Sequence, residues 1–410
     1  MKKKIWGLGL LGLALFFLAV IIFGKPYGLN PLGEAQKFLG SIFFVDSITD
    51  KQIIDKYLVA KNSGEGVRVL IAPGHDSEVQ GTEFDGTEEA DLNLELATDL
   101  YNLMKSDNKF EVFITRNENG YLPEFVNFFS SERKNIEKFW AENFLLMDSM
   151  VKAGAVKLAD GVSHNYASNE TSIKLSGINY WANKNKIDVA VSIYFNDYGG
   201  RRNGQPGRYS GYAIYVPEDQ YSNSKASQTI AKYVSKSLSM LLPTSDLPKE
   251  GGGVVQDQEL ISVGANNSLD PASLLIEYGY IYENQFINPS LRPTMLKELA
   301  YLTYNGLKNF LEGRNDANAN QTTILPFRFE RTLTRKDEGL DVLALQRALV
   351  SENLYPPLGF SKNDCPISGT FGACTEKSVI DFQDKYGIVP AEGMVGPMTL
   401  SKLNQLYGIR

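Results

Sequence analysis

Three residues of this 410-residue chain have the types and surroundings that metal-assisted hydrolysis needs. His75 follows a short apolar run and Gly74, so a tight turn can present its imidazole beyond the carboxyl end of a strand. Glu89 begins a segment with helical leucine spacing, where a carboxylate also favours the helix dipole. Glu277 directly follows the apolar run 273–276, and a carboxylate there is costly without a partner or a task. Such side chains can bind zinc and deprotonate its water.

The elements that must hold these residues alternate between strands and helices. Short apolar, β-branched runs predict strands, and leucine-spaced segments predict the helices between them. This alternation favours an α/β fold with a mostly parallel sheet and helices on both faces. Residues 121–165, rich in aromatic and charged side chains, are predicted to be a helical insertion. The predicted strands are 67–72, 110–115, 189–194, 212–216 and 273–276, and the predicted helices are 91–105, 171–185, 223–242 and 290–312.

A second, smaller domain is predicted at residues 324–410. It follows a polar stretch at 313–323 that has no apolar side chain larger than alanine and is typical of a linker. The domain contains a short internal repeat, because segments 369–375 and 393–399 both fit Gly-x-apolar-Gly-x-x-Thr. We call this repeat the internal echo and its two copies the echo turns. Each copy precedes a helical pattern, and a third helix is predicted at 340–350. The sequence therefore predicts a small all-α domain of three helices.

This second domain resembles the three-helix peptidoglycan-binding domain found on many cell-wall hydrolases. The resemblance covers about 75 residues, and Ser368 departs from it, since the family usually has Asp there. It implies that the chain binds peptidoglycan. The motifs that carry it are Leu343-x-Leu345-Gln346-x-x-Leu349, Gly369-x-Phe371-Gly372-x-x-Thr375, Phe382-Gln383 and Gly393-x-Val395-Gly396-Pro397-x-Thr399-Leu400.

Residues 66–312 resemble the zinc-dependent N-acetylmuramoyl-L-alanine amidases. Five motifs occur in the family's order: Pro73-Gly74-His75, Glu89-x-Asp91-x-Asn93-Leu94, Thr115-Arg116, Ser192-Ile193-Tyr194 and Glu277-x-Gly279. The resemblance implies hydrolysis of the amide between N-acetylmuramic acid and L-alanine by zinc-activated water. It also implies that His75 and Glu89 are zinc ligands and that Glu277 is the general base.

The third zinc ligand is where the sequence departs from this family, which has a His at the position of Tyr194. A neutral phenol is a poor ligand until the metal drives its deprotonation. Tyr194 could bind zinc as a phenolate, His164 of the insertion could supply the third ligand, or Asp76 or Asp197 could take part. Alternatively, zinc binds weakly or not at all, and the chain is a catalytically impaired wall-binding or regulatory protein.

The N-terminus predicts export and a membrane anchor. Three lysines at 2–4 precede an uncharged run at 5–23, which is about 28 Å long as a helix and close to the ~30 Å hydrocarbon core. We interpret the run as an uncleaved signal anchor rather than a cleaved signal peptide, with a spacer at 24–65. The soluble part then lies outside the cytoplasmic membrane, in the cell envelope.

Charge and cysteine content further limit which kind of protein this chain can be. The net charge is −7 with no basic cluster beyond the first residues, which is unlike a nucleic-acid-binding protein. The two cysteines, Cys365 and Cys374, can form a disulfide outside the cytoplasm. The alternative is a pair of small buried thiols, and a metal site at these cysteines lacks nearby histidines.

Overall fold

The computed structural model describes residues 47–164, 167–264, 268–314 and 322–409. The helices in these ranges are α1 (Asp50–Ser63), α2 (Glu89–Ser106), α3 (Pro123–Ser131), α4 (Arg133–Lys152), α5 (Asn169–Lys184), α6 (Ser224–Leu238), α7 (Asn284–Ile287), α8 (Arg292–Glu312), α9 (Leu340–Ser351), α10 (Ala373–Lys385) and α11 (Pro397–Tyr407). The strands are β1 (Val67–Pro73), β2 (Glu83–Phe84), β3 (Thr87–Glu88), β4 (Phe110–Ile114), β5 (Arg116–Asn117), β6 (Gly120–Tyr121), β7 (Val189–Asn196), β8 (Ala213–Pro217), β9 (Val254–Asp257) and β10 (Ala272–Tyr280).

Six strands form one sheet in the order β4-β1-β7-β10-β8-β9. The first four strands are mutually parallel, β8 runs antiparallel to β10, and β9 runs parallel to β8. The prediction of a mostly parallel sheet is therefore confirmed. Because β1, β7 and β10 are neighbours and parallel, their carboxyl ends meet at one edge of the sheet. Residues that follow these strands are brought together there.

Helices cover both faces of this sheet. Alternation along β1 sends Val69 and Ile71 into the core under α2, α6 and α8, and Leu70 into a second core against α5. Trp181 of α5 is the largest side chain of that second core and packs against Phe125 of α3, with ring centroids 4.7 Å apart. The predicted insertion is helical, since α3 and α4 lie within 121–165.

One predicted boundary is wrong in part: residues 50–63, assigned to the spacer 24–65, form helix α1. Thr49 and Gln52 make a reciprocal capping box at its start. Ile53 and Tyr57, four residues apart on one helical face, are buried in the main core. The helix forms because this apolar face can be covered by the sheet and α8.

The predicted anchor at 5–23 lies outside the described residues. Within the ranges that the structure does describe, no helix is both long and apolar enough to cross a membrane.

The C-terminal domain is a three-helix unit, α9, α10 and α11, in which the internal echo has a common structure. Buried Gln346 donates to Thr370 O (3.1 Å) and Thr375 Oγ1 (3.1 Å), and accepts from Gly369 N (3.0 Å). Buried Gln383 repeats this pattern on Met394 O (2.8 Å), Thr399 Oγ1 (2.9 Å) and Gly393 N (3.0 Å). Each Gly-x-apolar-Gly-x-x-Thr turn is thus held by a glutamine from the preceding helix.

Cys365 and Cys374 form a disulfide in this domain, with their Cα atoms 5.8 Å apart. The bond joins the loop before the first echo turn to the start of α10. It therefore fixes the entry to that helix.

Candidate functional site

His75 lies in the turn that follows β1, and glycine at position 74 makes the turn possible. A Cβ on Gly74 would lie 2.3 Å from Cε1 of Tyr194, so no other residue fits. His75 itself has φ +59°, a left-handed conformation that is unfavourable for a residue other than glycine. This backbone turns the imidazole toward Glu89, with Nε2 3.2 Å from Oε2.

Glu89 is the first residue of α2 and is 5% exposed. Its Oε2 accepts a hydrogen bond from Thr82 N at 3.1 Å, in addition to the contact with His75. Gly81 closes over the pair, since a Cβ there would lie 2.5 Å from Oε2 of Glu89. Burial opposes a charge on His75, but the hydrogen bond and the charge of Glu89 prevail and raise the pKa of His75. The two side chains therefore form a tight, largely enclosed pair.

Two further motif residues hold the turn in place. Asn93 of α2 donates from Nδ2 to Gly74 O at 3.0 Å. Arg116, 4% exposed, donates from Nη2 to Gly74 O at 2.9 Å and to Ala90 O at 2.8 Å. The guanidinium thus joins the His75 turn to the first turn of α2. The sequence placed both residues in motifs but gave no reason for them, and the structure assigns them this positioning role.

Glu277 lies on β10 directly beside the end of β7, where it pairs in register with Tyr194. Its Oε2 is buried without a hydrogen-bond partner. Burial, followed by the charges of Glu89 and Glu250, raises the pKa of Glu277 well above its usual range. Burial and these charges oppose ionisation of the Glu277 carboxyl group, and its Oε2 is free to accept a hydrogen bond from a ligand.

Tyr194 ends the predicted part of β7 and faces His75 edge-on, with ring centroids 5.6 Å apart. Ser262 hydrogen-bonds its phenol, and both side chains line a small pocket with His75. Burial raises the pKa of Tyr194, and the charges of Glu89 and Glu277 raise it further. The phenol is thus neutral and already hydrogen-bonded.

The alternative third ligands lie elsewhere. His164 pairs through Nε2 with Oδ2 of buried Asp257 at 2.7 Å and packs edge-on against Tyr215. Asp76 accepts from the backbone N–H groups of the loop that follows it and lies 3.3 Å from Lys174. Asp197 forms an ion pair with Arg201 at 2.7 Å. Asp197 is connected to Glu89 only indirectly, because Thr82 donates from its hydroxyl to Asp197 Oδ2 (2.6 Å) and from its backbone N–H to Glu89 Oε2 (3.1 Å).

Sequence reasoning missed Glu250. This carboxyl group is fully buried, accepts a hydrogen bond from Tyr215, and has its Oε2 without a partner. It is one of the charges that raise the pKa of Glu277. Its signal in the sequence is weak, since it lies in a glycine-rich loop rather than beside an apolar strand.

The donor set fits two protein ligands of a zinc site. The nitrogen of His75 and the oxygen of Glu89 already face each other, as two ligands of one ion must. The phenol of Tyr194 lies next to His75 and is a weaker metal donor than an imidazole. Across the described residues, no group of three His, Cys, Asp or Glu side chains is placed to hold a metal ion.

Comparison with known proteins gives two family matches. The family model described as N-acetylmuramoyl-L-alanine amidase matches residues 69–309, and the peptidoglycan-binding domain model matches residues 338–403. The resemblances inferred from the motifs are thereby confirmed. No curated protein matches the chain.

Solved amidases also match, at low identity. An N-acetylmuramoyl-L-alanine amidase from Clostridium difficile 630 is 18% identical, with a TM-score of 0.38, covering 61% of this chain and 99% of the other. The amidase Ami1 from Mycobacterium smegmatis is 15% identical, with a TM-score of 0.39, covering 60% and 98%. AmiC2 of Nostoc punctiforme is 14% identical, with a TM-score of 0.36, covering 60% and 97%. Because the amidase family model spans more than half of the chain, this protein belongs to the N-acetylmuramoyl-L-alanine amidase family.

Proposed function

We propose that this chain is a peptidoglycan hydrolase that cleaves the amide between N-acetylmuramic acid and L-alanine. The observation that carries the proposal is the close His75–Glu89 pair with a buried, unpartnered carboxyl oxygen of Glu277 nearby. A left-handed histidine and an unpaired buried carboxyl group each cost stability, and such features are typical of working sites. The amidase family match and the wall-binding domain give the substrate class.

His75 and Glu89 would hold zinc, with Tyr194 as the third protein ligand. Zinc bound there would act as a Lewis acid and lower the pKa of water. The role of Glu277 is to accept a proton and pass it to the leaving amine, and its unpartnered Oε2 can form that hydrogen bond. Asn93 and Arg116 keep the His75 turn in position throughout.

A second candidate function is favoured by Tyr194. Since its phenol is neutral and hydrogen-bonded, the site has only two strong donors, and a catalytic zinc normally has three. In this reading the domain keeps the fold and the substrate class but has lost most of its turnover. The chain would then be a wall-binding or regulatory protein.

Zinc content and wall digestion distinguish these functions. The soluble part, residues 25–410, is purified without chelators, assayed for zinc, and incubated with purified sacculi. The amidase proposal expects about one zinc per chain and release of free stem peptides, with both lost in His75→Ala. Glu277→Gln should retain zinc and stop release. A wild type that binds sacculi but neither holds zinc nor releases peptides would establish the second function instead.

We also propose the cellular arrangement. The run 5–23 anchors the chain in the cytoplasmic membrane, and the amidase domain (66–312) and the peptidoglycan-binding domain (324–410) lie outside, joined by the linker 313–323. The wall-binding family match agrees with a location beyond the cytoplasm.

A further inference from the structure

A buried ion pair links the two domains. Arg347 of α9 and Glu298 of α8 approach to 3.6 Å, and both side chains are 0% exposed. The other carboxylate oxygen of Glu298 accepts from the backbone N–H of Thr323 (2.6 Å) and from its hydroxyl (2.7 Å). A buried charge without its partner is strongly destabilising, so each of these residues depends on the other domain.

The C-terminal domain also supplies cations to the end of α6. Arg347 donates from Nη1 to Met240 O at 3.1 Å, and Lys362 donates to Ser239 O. These carbonyls follow the last residue of α6, Leu238, where backbone oxygens lack helical partners and carry partial negative charge. Burial and the nearby charge of Arg347 lower the pKa of Lys362, as expected for a cation withdrawn from water.

A third contact lies at the end of β10. Asn284, the first residue of α7, donates to Ser368 O at 3.3 Å and to Thr370 Oγ1 at 3.2 Å. Gly369, with φ +71°, packs so closely on Leu291 that a Cβ there would lie 2.7 Å from Cδ1. The first echo turn of the peptidoglycan-binding domain is therefore seated on the segment that directly follows the Glu277 strand.

We propose that the peptidoglycan-binding domain is a fixed part of the amidase body, locked by the Glu298–Arg347 pair, and is not carried on a flexible linker. The ion pair, the cap on α6 and the α7 contact lie on different elements, so rotation about any one of them breaks the other two. The hydrophobic core is also continuous from α8 into α9 and α10. The peptidoglycan-binding domain and the site formed by His75, Glu89 and Glu277 consequently keep one relative orientation.

Cutting the linker tests this proposal. A site-specific protease sequence is placed within 315–321 of the soluble part of the chain, which is then cleaved completely. The two fragments should stay together on size exclusion at micromolar concentration. Arg347→Met alone, or Glu298→Met alone, should weaken this association by on the order of 100-fold, because each leaves a buried charge unpaired. Arg335→Met, which alters a half-exposed arginine paired with Glu376, should change nothing.

The double variant Arg347→Met with Glu298→Met shows whether a single variant weakens association through the lost ion pair or through misfolding of a domain. Because it removes both charges, association should recover most of the way to the wild type. Circular dichroism of each released fragment should still show its helices. Wild-type fragments that separate on cutting, or single variants that associate as tightly as the wild type, would overturn the proposal.

Discussion

The side chain at position 194 determines how many strong donors surround His75. Its neighbour in register is Glu277, and its ring lies against the imidazole. These contacts support the proposal that Tyr194 takes the place of the family's third ligand. The sequence singled out this position through the motif Ser192-Ile193-Tyr194, in which the family has a His at the last place. It could not predict the hydrogen bond from Ser262, because that residue lies far along the chain, in a short 3-10 helix (Ile261–Val263).

We expect Tyr194→His to raise zinc affinity by more than tenfold. Replacement of even a residue behind the ligands typically changes affinity by 10–100-fold, and this change would complete a three-donor set. The measurement is a competition titration with a chromogenic zinc chelator. Tyr194→Phe is the matched control, because it keeps the ring and removes only the hydroxyl.

The control also identifies the opposite case. If the phenol already binds zinc, Tyr194→Phe lowers affinity, and Tyr194→His fails to raise it. That pair of results would assign Tyr194 as a ligand and remove the argument for an impaired site.

Arg116→Met should lower the free energy of unfolding by about 1–3 kcal/mol, since the carbonyls of Gly74 and Ala90 lose a buried charged donor. Chemical denaturation followed by circular dichroism measures this. Arg133→Met is the comparison, because its pairs with Glu137 and Glu170 are solvent-exposed and should contribute little to stability. Equal losses for the two variants would contradict the positioning role of Arg116.

At the scale of elements, much of the fold could be predicted from the sequence, and the failures have physical reasons. Strand β1 was evident because it is a short run of mostly apolar, β-branched residues ended by Pro73 and Gly74. Helix α1 was missed although Thr49 and Gln52 formed a capping signature, because its apolar face is only a few residues wide. The contacts of Glu250 and Arg347 depend on residues far apart in the chain, and no local pattern reports such pairs.

We expect the two glutamine-held turns to contribute equally to the free energy of unfolding. Gln346→Leu or Gln383→Leu leaves a buried glycine N–H without its acceptor and removes the amide donor to a main-chain carbonyl and a threonine hydroxyl. Each variant should therefore lose about 2–4 kcal/mol of unfolding free energy. Thermal and urea unfolding of the chain measures the loss. Gln405→Leu, on the exposed side of α11, should stay within about 0.5 kcal/mol. A large loss at only one of the two turns would mean that the echo is not energetically equivalent.

The disulfide should contribute about 2–3 kcal/mol, as the chain-entropy relation gives for a loop this short. We expect reduction to shift unfolding of the C-terminal domain to lower denaturant, and mass spectrometry after alkylation to find no free thiol in exported protein. Cys365→Ala with Cys374→Ala should unfold like the reduced protein. Two alkylated cysteines in exported wild type would refute the pairing.

At the scale of the whole molecule, the anchor prediction can be tested on cells. Protease added to intact spheroplasts should digest the amidase and peptidoglycan-binding domains, because three lysines before the apolar run favour an outward-facing soluble part. A cytoplasmic marker protein should survive the same treatment. Full protection of the chain would reverse the proposed orientation.

The contact between the two domains also changes how peptidoglycan binding by one domain would assist the amidase site of the other. With a flexible tether, one bound domain raises the effective concentration of substrate at the other, and that concentration falls as the tether lengthens. With Glu298 and Arg347 buried against each other, the two domains are held together directly. The length of the tether then no longer affects the effective concentration of substrate. Avidity then depends on whether the spacing of repeating units along a glycan strand matches the fixed separation of the two sites. If both proposals hold, such a protein would cleave at a set distance along the polymer from the place where its peptidoglycan-binding domain is bound.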